Sequence, residues 1–194
     1  MNGLVKTDNK PVIEQKQYLT FTLGGEMFSI SILRIKEIIW YANLTEVPMM
    51  PACIRGVINL RGAVVPVMDL SARFGKPPTA VTKSTCIIII EVQTNTETGA
   101  AQEGGNDSLS MGMVVDAVQA VLEIPSSEIE PPPTFGAKIR SDFIEGIGKV
   151  NGKFVILLNV DRVLSNEEIG AMGRGLSSDD ASNQQSQAQT ISHP

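Results

Sequence analysis

The stretch ACIRGVINLRGAVVPVMDL, Ala52–Leu70, holds two apolar runs, VINL and AVVPVM, around a turn in which Arg61 stands before Gly62. Short apolar runs bounded by glycine and polar residues read as strands. Asp69, at the end of the second run, is placed to cap a short helix over LSARFG. The pattern then returns. Ile54, Gly56, Val57, Leu60, Gly62, Val64 and Val65 recur ninety residues later as Ile144, Gly146, Ile147, Val150, Gly152, Phe154 and Val155. A second echo, at an offset of 83, pairs Ile30, Ile35, Ile38 and Ile39 with Met113, Val118, Val121 and Leu122. Self-similarity at fixed spacing marks a repeated structural unit, so the chain is expected to contain two related β-units. The turn glycine is repeated as Gly152, but Asn151 takes the place of Arg61. The turn is therefore structural, and the arginine is something that only one unit has.

Outward from this core, Leu19, Phe21 and Leu23 alternate with Thr20 and Thr22, and beyond Gly24 and Gly25 the alternation resumes at Phe28, Ile30 and Ile32. This predicts a β-hairpin on a two-residue turn. Further strands are expected at CIIIIEV, SMGMVV, FIEGIGKV and KFVILLNV. Helical signals are confined to LSARFG and to RVLSNEEIGAM, where Asp161 is the expected cap. The polar run at about 93–109 reads as a loop that offers too little apolar surface to offset its ordering entropy. The segments 1–15 and 169–194 read as flexible ends.

The 194 residues are 42% hydrophobic and 19% charged, with 17 Gly and 11 Pro, which suits a turn-rich globular chain. A formal charge of -5 argues against phosphate-driven nucleic-acid binding, which needs concentrated Lys and Arg. Cys53 and Cys86 sit among apolar residues and read as buried, reduced thiols. No secretory leader and no apolar run of membrane-spanning length is seen, so a cytoplasmic protein is expected, with any membrane association made through a partner. The single histidine, His193, lies in the polar tail, which removes histidine-based nucleophilic and metal schemes. Asp69, Asp116 and Asp161 each follow an apolar strand; turn and cap roles account for them, and an acid/base or hard-metal site is the rival reading. No nucleotide-binding glycine motif is present. Aromatics at 5% give little of the stacking surface that a single-strand-binding barrel uses.

Ala52–Leu70 resembles the core signature of the chemotaxis coupling proteins, the CheW family. The resemblance continues through LTFTLGGEMFSISILRIKEII, MGMVVDAVQAVLEI and FIEGIGKVNGKFVILLNVDRVLS, spanning about residues 16–168. It implies an all-β fold of two intertwined five-stranded β-barrels with short connecting helices, in agreement with the internal repeat. It also implies a stand-alone adaptor with no catalytic, cofactor or metal site. Such an adaptor binds the cytoplasmic tip of chemoreceptors and the regulatory domain of the CheA histidine kinase, and further copies of the coupling protein are partners within arrays. An adaptor of a surface-motility pathway is the alternative of the same class; a nucleic-acid-binding barrel and an aspartate-based metal enzyme are the alternatives from other classes.

Carried over residue by residue, the resemblance places receptor contacts at Ile35, Glu37, Arg61, Thr85 and Ile87. Arg61 offers a planar five-donor guanidinium in a turn, suited to a carboxylate or carbonyl of the partner or to Glu37 beside it. Ile35 and Ile87 are the apolar contacts, with core packing as their rival reading. Kinase contacts fall at Leu44, Thr45, Val47 and Val64 and at Phe135, which follows a stiff Pro-Pro-Pro-Thr segment. Glu130 stands where the resemblance leads one to expect a basic residue. Trp40 fits either an interface or a core gap.

Overall fold

A computed structural model describes residues 15–93, 108–132 and 139–163, and these build two sheets. The strands are β1 (Gln15–Leu23), β2 (Glu26–Ser31), β3 (Ile35–Trp40), β4 (Ile54–Leu60), β5 (Ala63–Asp69), β6 (Cys86–Gln93), β7 (Ser108–Val115), β8 (Ala117–Pro125), β9 (Ile129–Glu130), β10 (Ile144–Val150) and β11 (Lys153–Leu158). Two one-turn helices, α1 (Leu70–Arg73) and α2 (Val160–Val163), follow β5 and β11. Sheet I runs β8-β1-β2-β11-β10-β9 and sheet II runs β3-β6-β7-β5-β4.

The repeat explains this order. Each unit opens with a hairpin (β1–β2, β6–β7), continues into a crossing strand (β3, β8) and ends with a second hairpin (β4–β5, β10–β11). The opening hairpin of each unit lies in the sheet that holds the other unit's crossing strand and closing hairpin. The parallel joins obey the same rule: Leu157 pairs with Ser29 as Val67 pairs with Gly112. Even the bridge Thr45↔Val57 has its counterpart in Glu130↔Ile147. The two units are thus intertwined, as expected.

Closure differs from the expectation. The sheets have six and five strands and neither ladder joins its first strand to its last. Side chains close them instead. Ile39 on β3 and Ile58 and Leu60 on β4 pack into one cluster with Val65, Val67, Ile87, Ile89 and Val114. Leu122 and Ile124 on β8 and Ile129 on β9 do the same with Tyr18 and Leu157. A third and larger core lies between the sheets and includes Phe21, Phe28, Met68, Ile88, Met113 and Phe143. Strand β6 is apolar from Cys86 to Ile90 because Ile87 and Ile89 serve the sheet II cluster while Cys86, Ile88 and Ile90 serve the shared core.

Local chemistry fixes the corners. Arg61 and Gly62 have φ of 54° and 89°, Asn151 and Gly152 of 50° and 75°, the left-handed pair that a tight hairpin turn of this hand requires. A β-bulge recurs at Ile54/Gly56 and at Ile144/Gly146. Its glycines are obligatory: a Cβ on Gly56 would lie 2.4 Å from the Thr45 carbonyl oxygen, and one on Gly146 would lie 2.8 Å from that of Glu130.

Asp69 caps α1 as expected, accepting from the amides of Ser71 and Ala72. The cap of α2 is Asn159 rather than Asp161, because Asn159 is the residue ninety positions after Asp69; its Oδ1 accepts from the Arg162 amide at 3.2 Å. Asp161 lies inside the helix and pairs with Arg34. Asp116 accepts from the Gly24 amide at 2.7 Å and so braces the opening hairpin. The three aspartates have three separate local partners, and among the described residues no three His, Cys, Asp or Glu gather as a metal site. Cys53 and Cys86 are buried thiols that form no disulfide. Among the described residues no helix is long and apolar enough to cross a membrane.

Candidate functional site: a cleft along an edge strand

β3 is the first strand of sheet II, and a bulge between Ile35 and Glu37 governs what it presents. Ile35 pairs with Ile90 and packs against the shared core, whereas after the bulge Glu37 and Ile39 pair with Ile89 and Ile87 over the sheet II cluster. Ile38 and Trp40 pair with Ile88 and Cys86 and return to the side of Ile35. Ile35 and Glu37, expected to share one receptor surface, therefore lie on two faces of a single edge strand.

On one face, Arg61 Nη2 donates to Glu37 Oε2 at 3.0 Å. Arg61 sits at the tip of the β4–β5 hairpin and Glu37 on β3, so this pair staples the seam that backbone hydrogen bonds leave open. The arginine side chain remains 79% exposed against 25% for the glutamate, which leaves most of its donors facing solvent.

On the other face lies a cleft of about 440 Å³ between the edge of sheet II and β8, the edge of sheet I, with Ile38, Trp40, Lys83, Cys86, Ala117 and Val118 in its lining. Its walls follow the repeat. The strands that give it Ile38 and Val118, β3 and β8, are counterparts; Ile38 is 42% exposed, and its counterpart on β8, Val121, is 52% exposed. Trp40 is 71% exposed and so belongs to the surface, while its counterpart in the second unit is Glu123.

Two of the expected receptor contacts are corrected. Ile87 is completely buried in the sheet II cluster, because it lies on a central strand with Val114 and Ile39 opposite it. Thr85 is buried too, and its Oγ1 accepts from the Thr82 amide at 2.8 Å. It shapes the 82–85 turn that carries Lys83 and Ser84 to the cleft.

The kinase set is also divided. Thr45 exchanges both backbone hydrogen bonds with Val57, at 2.8 and 2.9 Å, and lies with exposed Val64 on the outer face of sheet II. Leu44 is half-buried and packs against the sheet II cluster. Val47 is half-buried. Phe135 lies outside the described residues. Ile38, Lys83 and Val118 were not singled out from the sequence as contacts; the 83-residue echo was the signal that would have found two of them.

Two exchanged β-units, an apolar cleft between their edges and an exposed arginine at one seam define a protein-docking module. The comparisons make this specific. The profile of the CheW-like domain matches residues 17–168. The chemotaxis protein CheW of Klebsiella aerogenes is 30% identical over 154 residues, 79% of this chain and 84% of its own length. That of Rhizobium meliloti is 31% identical over 153 residues, 79% and 90% of the two chains. The crystal structure of the scaffolding protein TtCheW from Thermoanaerobacter tengcongensis superposes with a TM-score of 0.66 at 32% identity, covering 78% of this chain and 89% of that one. The chain belongs to the CheW-like family, the coupling proteins of chemotaxis.

Proposed function

We propose that this chain is a non-enzymatic adaptor that couples chemoreceptors to a CheA-type histidine kinase, working in the cytoplasm at membrane-associated arrays. The receptor's cytoplasmic tip engages β3 from its two sides, Arg61 and Glu37 on one and the inter-sheet cleft on the other. The regulatory domain of the kinase docks on the outer face of sheet II, at Thr45 and Val64 with Val47 beside them, and at Phe135. The observation that carries this reading is the exposed, unrepeated Arg61 on a repeated turn. A guanidinium that serves only the turn is replaceable by asparagine, as the second unit demonstrates, so its retention in one unit points to a contact.

The test is capture of a receptor cytoplasmic fragment and of the kinase regulatory domain by the purified full chain and by Arg61→Asn, Val64→Asp and Phe135→Ser. Arg61→Asn is expected to lose the receptor and keep the kinase; the other two are expected to do the reverse. Folded variants that keep both partners would overturn the site assignment, and a wild-type chain that binds neither would overturn the function. Capture of receptors from a surface-motility system, with none from chemotaxis, would move the chain to that pathway.

A further inference from the structure

The cleft has a repeated floor and an unrepeated wall. Its floor is built by the corresponding strands β3 and β8, which give it Ile38 and Val118. One end carries Trp40, the single tryptophan of the chain, and beside it Lys83, which has no ion-pair partner among the described residues. A wall present on one side only gives a quasi-symmetric trough a direction.

Two modes of occupation suit the edge of a sheet: a strand that extends the ladder, or a helix laid against side chains. The edges oppose the first. β3 is bulged at Lys36, and β8 is bulged at the corresponding residue Gln119, since Thr20 and Phe21 pair with Ala120 and Val118. Bulges and edge lysines are the devices that block strand addition. Side-chain docking remains, and the lining specifies it: aliphatic residues for an apolar ridge, an indole as a large low-entropy anchor, and an ammonium for a carboxylate at the ridge's border.

Resting on the receptor reading above, we infer that Trp40 and Lys83 are the specificity-determining residues of this cleft, and that they select a receptor helix whose apolar ridge is bordered by an acidic residue at the Trp40 end. The helix lies along β3 with its apolar ridge on Ile38 and Val118. Lys83 pairs with the carboxylate, and Trp40 covers the last apolar side chain.

The lone tryptophan makes the test direct. A purified receptor hairpin fragment is titrated into the full chain while tryptophan emission and acrylamide quenching are followed, and its Kd is measured for wild type, Trp40→Phe, Trp40→Ala and Lys83→Glu. Expected are a blue shift with reduced quenching, a Kd about tenfold or more weaker for Trp40→Ala, near-wild-type binding by Trp40→Phe, and weaker binding by Lys83→Glu. Kinase binding and thermal stability stay unchanged in all three. If the fragment binds but emission is unmoved and Trp40→Ala binds like wild type, the inference fails and the receptor reading stands. If the fragment does not bind wild type, the reading fails and the inference with it. Equal binding of an unfolded linear peptide of the same sequence would refute the helical occupant.

Discussion

Asp69 and Asn159 are corresponding caps of corresponding helices, yet their removal should differ severalfold in cost. The Asn159 side chain accepts from the Arg162 amide. Asn159→Ala should therefore cost about 1 kcal/mol, the ordinary value of an N-cap. Asp69 is completely buried and accepts from the amides of Ser71 at 2.9 Å, Ala72 at 3.2 Å and Thr79 at 2.8 Å, and from the Thr79 hydroxyl at 3.0 Å. Arg55 Nη1 stands 3.4 Å from it and also donates to the Thr79 carbonyl. Asp69→Ala removes the same cap, leaves two Thr79 donors without an acceptor and leaves Arg55 without its anion. Each stranded buried donor costs about 1–3 kcal/mol, and partial exposure of Arg55 holds the ionic contribution low, so with the cap the whole comes to about 3–7 kcal/mol. With a urea dependence of about 2 kcal/mol per molar, the midpoint should fall by about 1.5–3.5 M for Asp69→Ala and by about 0.5 M for Asn159→Ala. Urea unfolding followed by circular dichroism gives both. Equal midpoints for the two variants would refute the claim that Asp69 organises a buried network beyond its cap.

Arg61→Asn copies the second unit's turn and should hold or slightly raise the melting temperature, since Asn-Gly suits the turn and an exposed ion pair contributes at most about 1 kcal/mol; a clear drop in melting temperature would mean that the seam pair is structural. Gly56→Ala and Gly146→Ala should each destabilise by more than about 2 kcal/mol because a carbonyl occupies the place of the new Cβ, whereas Gly152→Ala meets open space and should cost only about 1–2 kcal/mol for its left-handed φ; chemical denaturation ranks the three. Burial, with the Glu145 carboxylate nearby, raises the Tyr18 pKa above its usual 10.0. The folded state thus holds this proton more tightly than the unfolded chain, so its contribution is complete below pH 10 and is lost as the pH rises through the raised value. Tyr18→Phe should flatten the fall in stability above about pH 10, which denaturation at successive alkaline pH values would reveal.

The two crossing strands, β3 and β8, were not legible as strands, and they form the walls of the cleft. Ile35, Ile38 and Ile39, like Val118, Val121 and Leu122, follow a three-and-one spacing that looks helical. The cause is the extra residue of each bulge, Lys36 and Gln119, which breaks the period of two that betrays a strand. The same bulge separates Ile35 from Glu37, which the sequence presents as neighbours on one face. Ile87 was legible as apolar, but a run of four isoleucines does not say which of them a second sheet will cover.

The hairpins, their left-handed turns, the Asp69 cap and the existence of two related units were determined by the sequence alone, because each depends on residues within a few positions of one another or on a pattern the chain repeats. Which sheet each hairpin joins, how the seams close, and which isoleucines reach the surface were decided only by the tertiary structure. Those outcomes depend on contacts between residues far apart in the chain, where backbone pairing and shared cores select among arrangements that local propensity leaves equal. Arg61 spans the two kinds of information: its turn is written locally and twice, while Glu37, which gives it a partner and a direction, arrives from another strand.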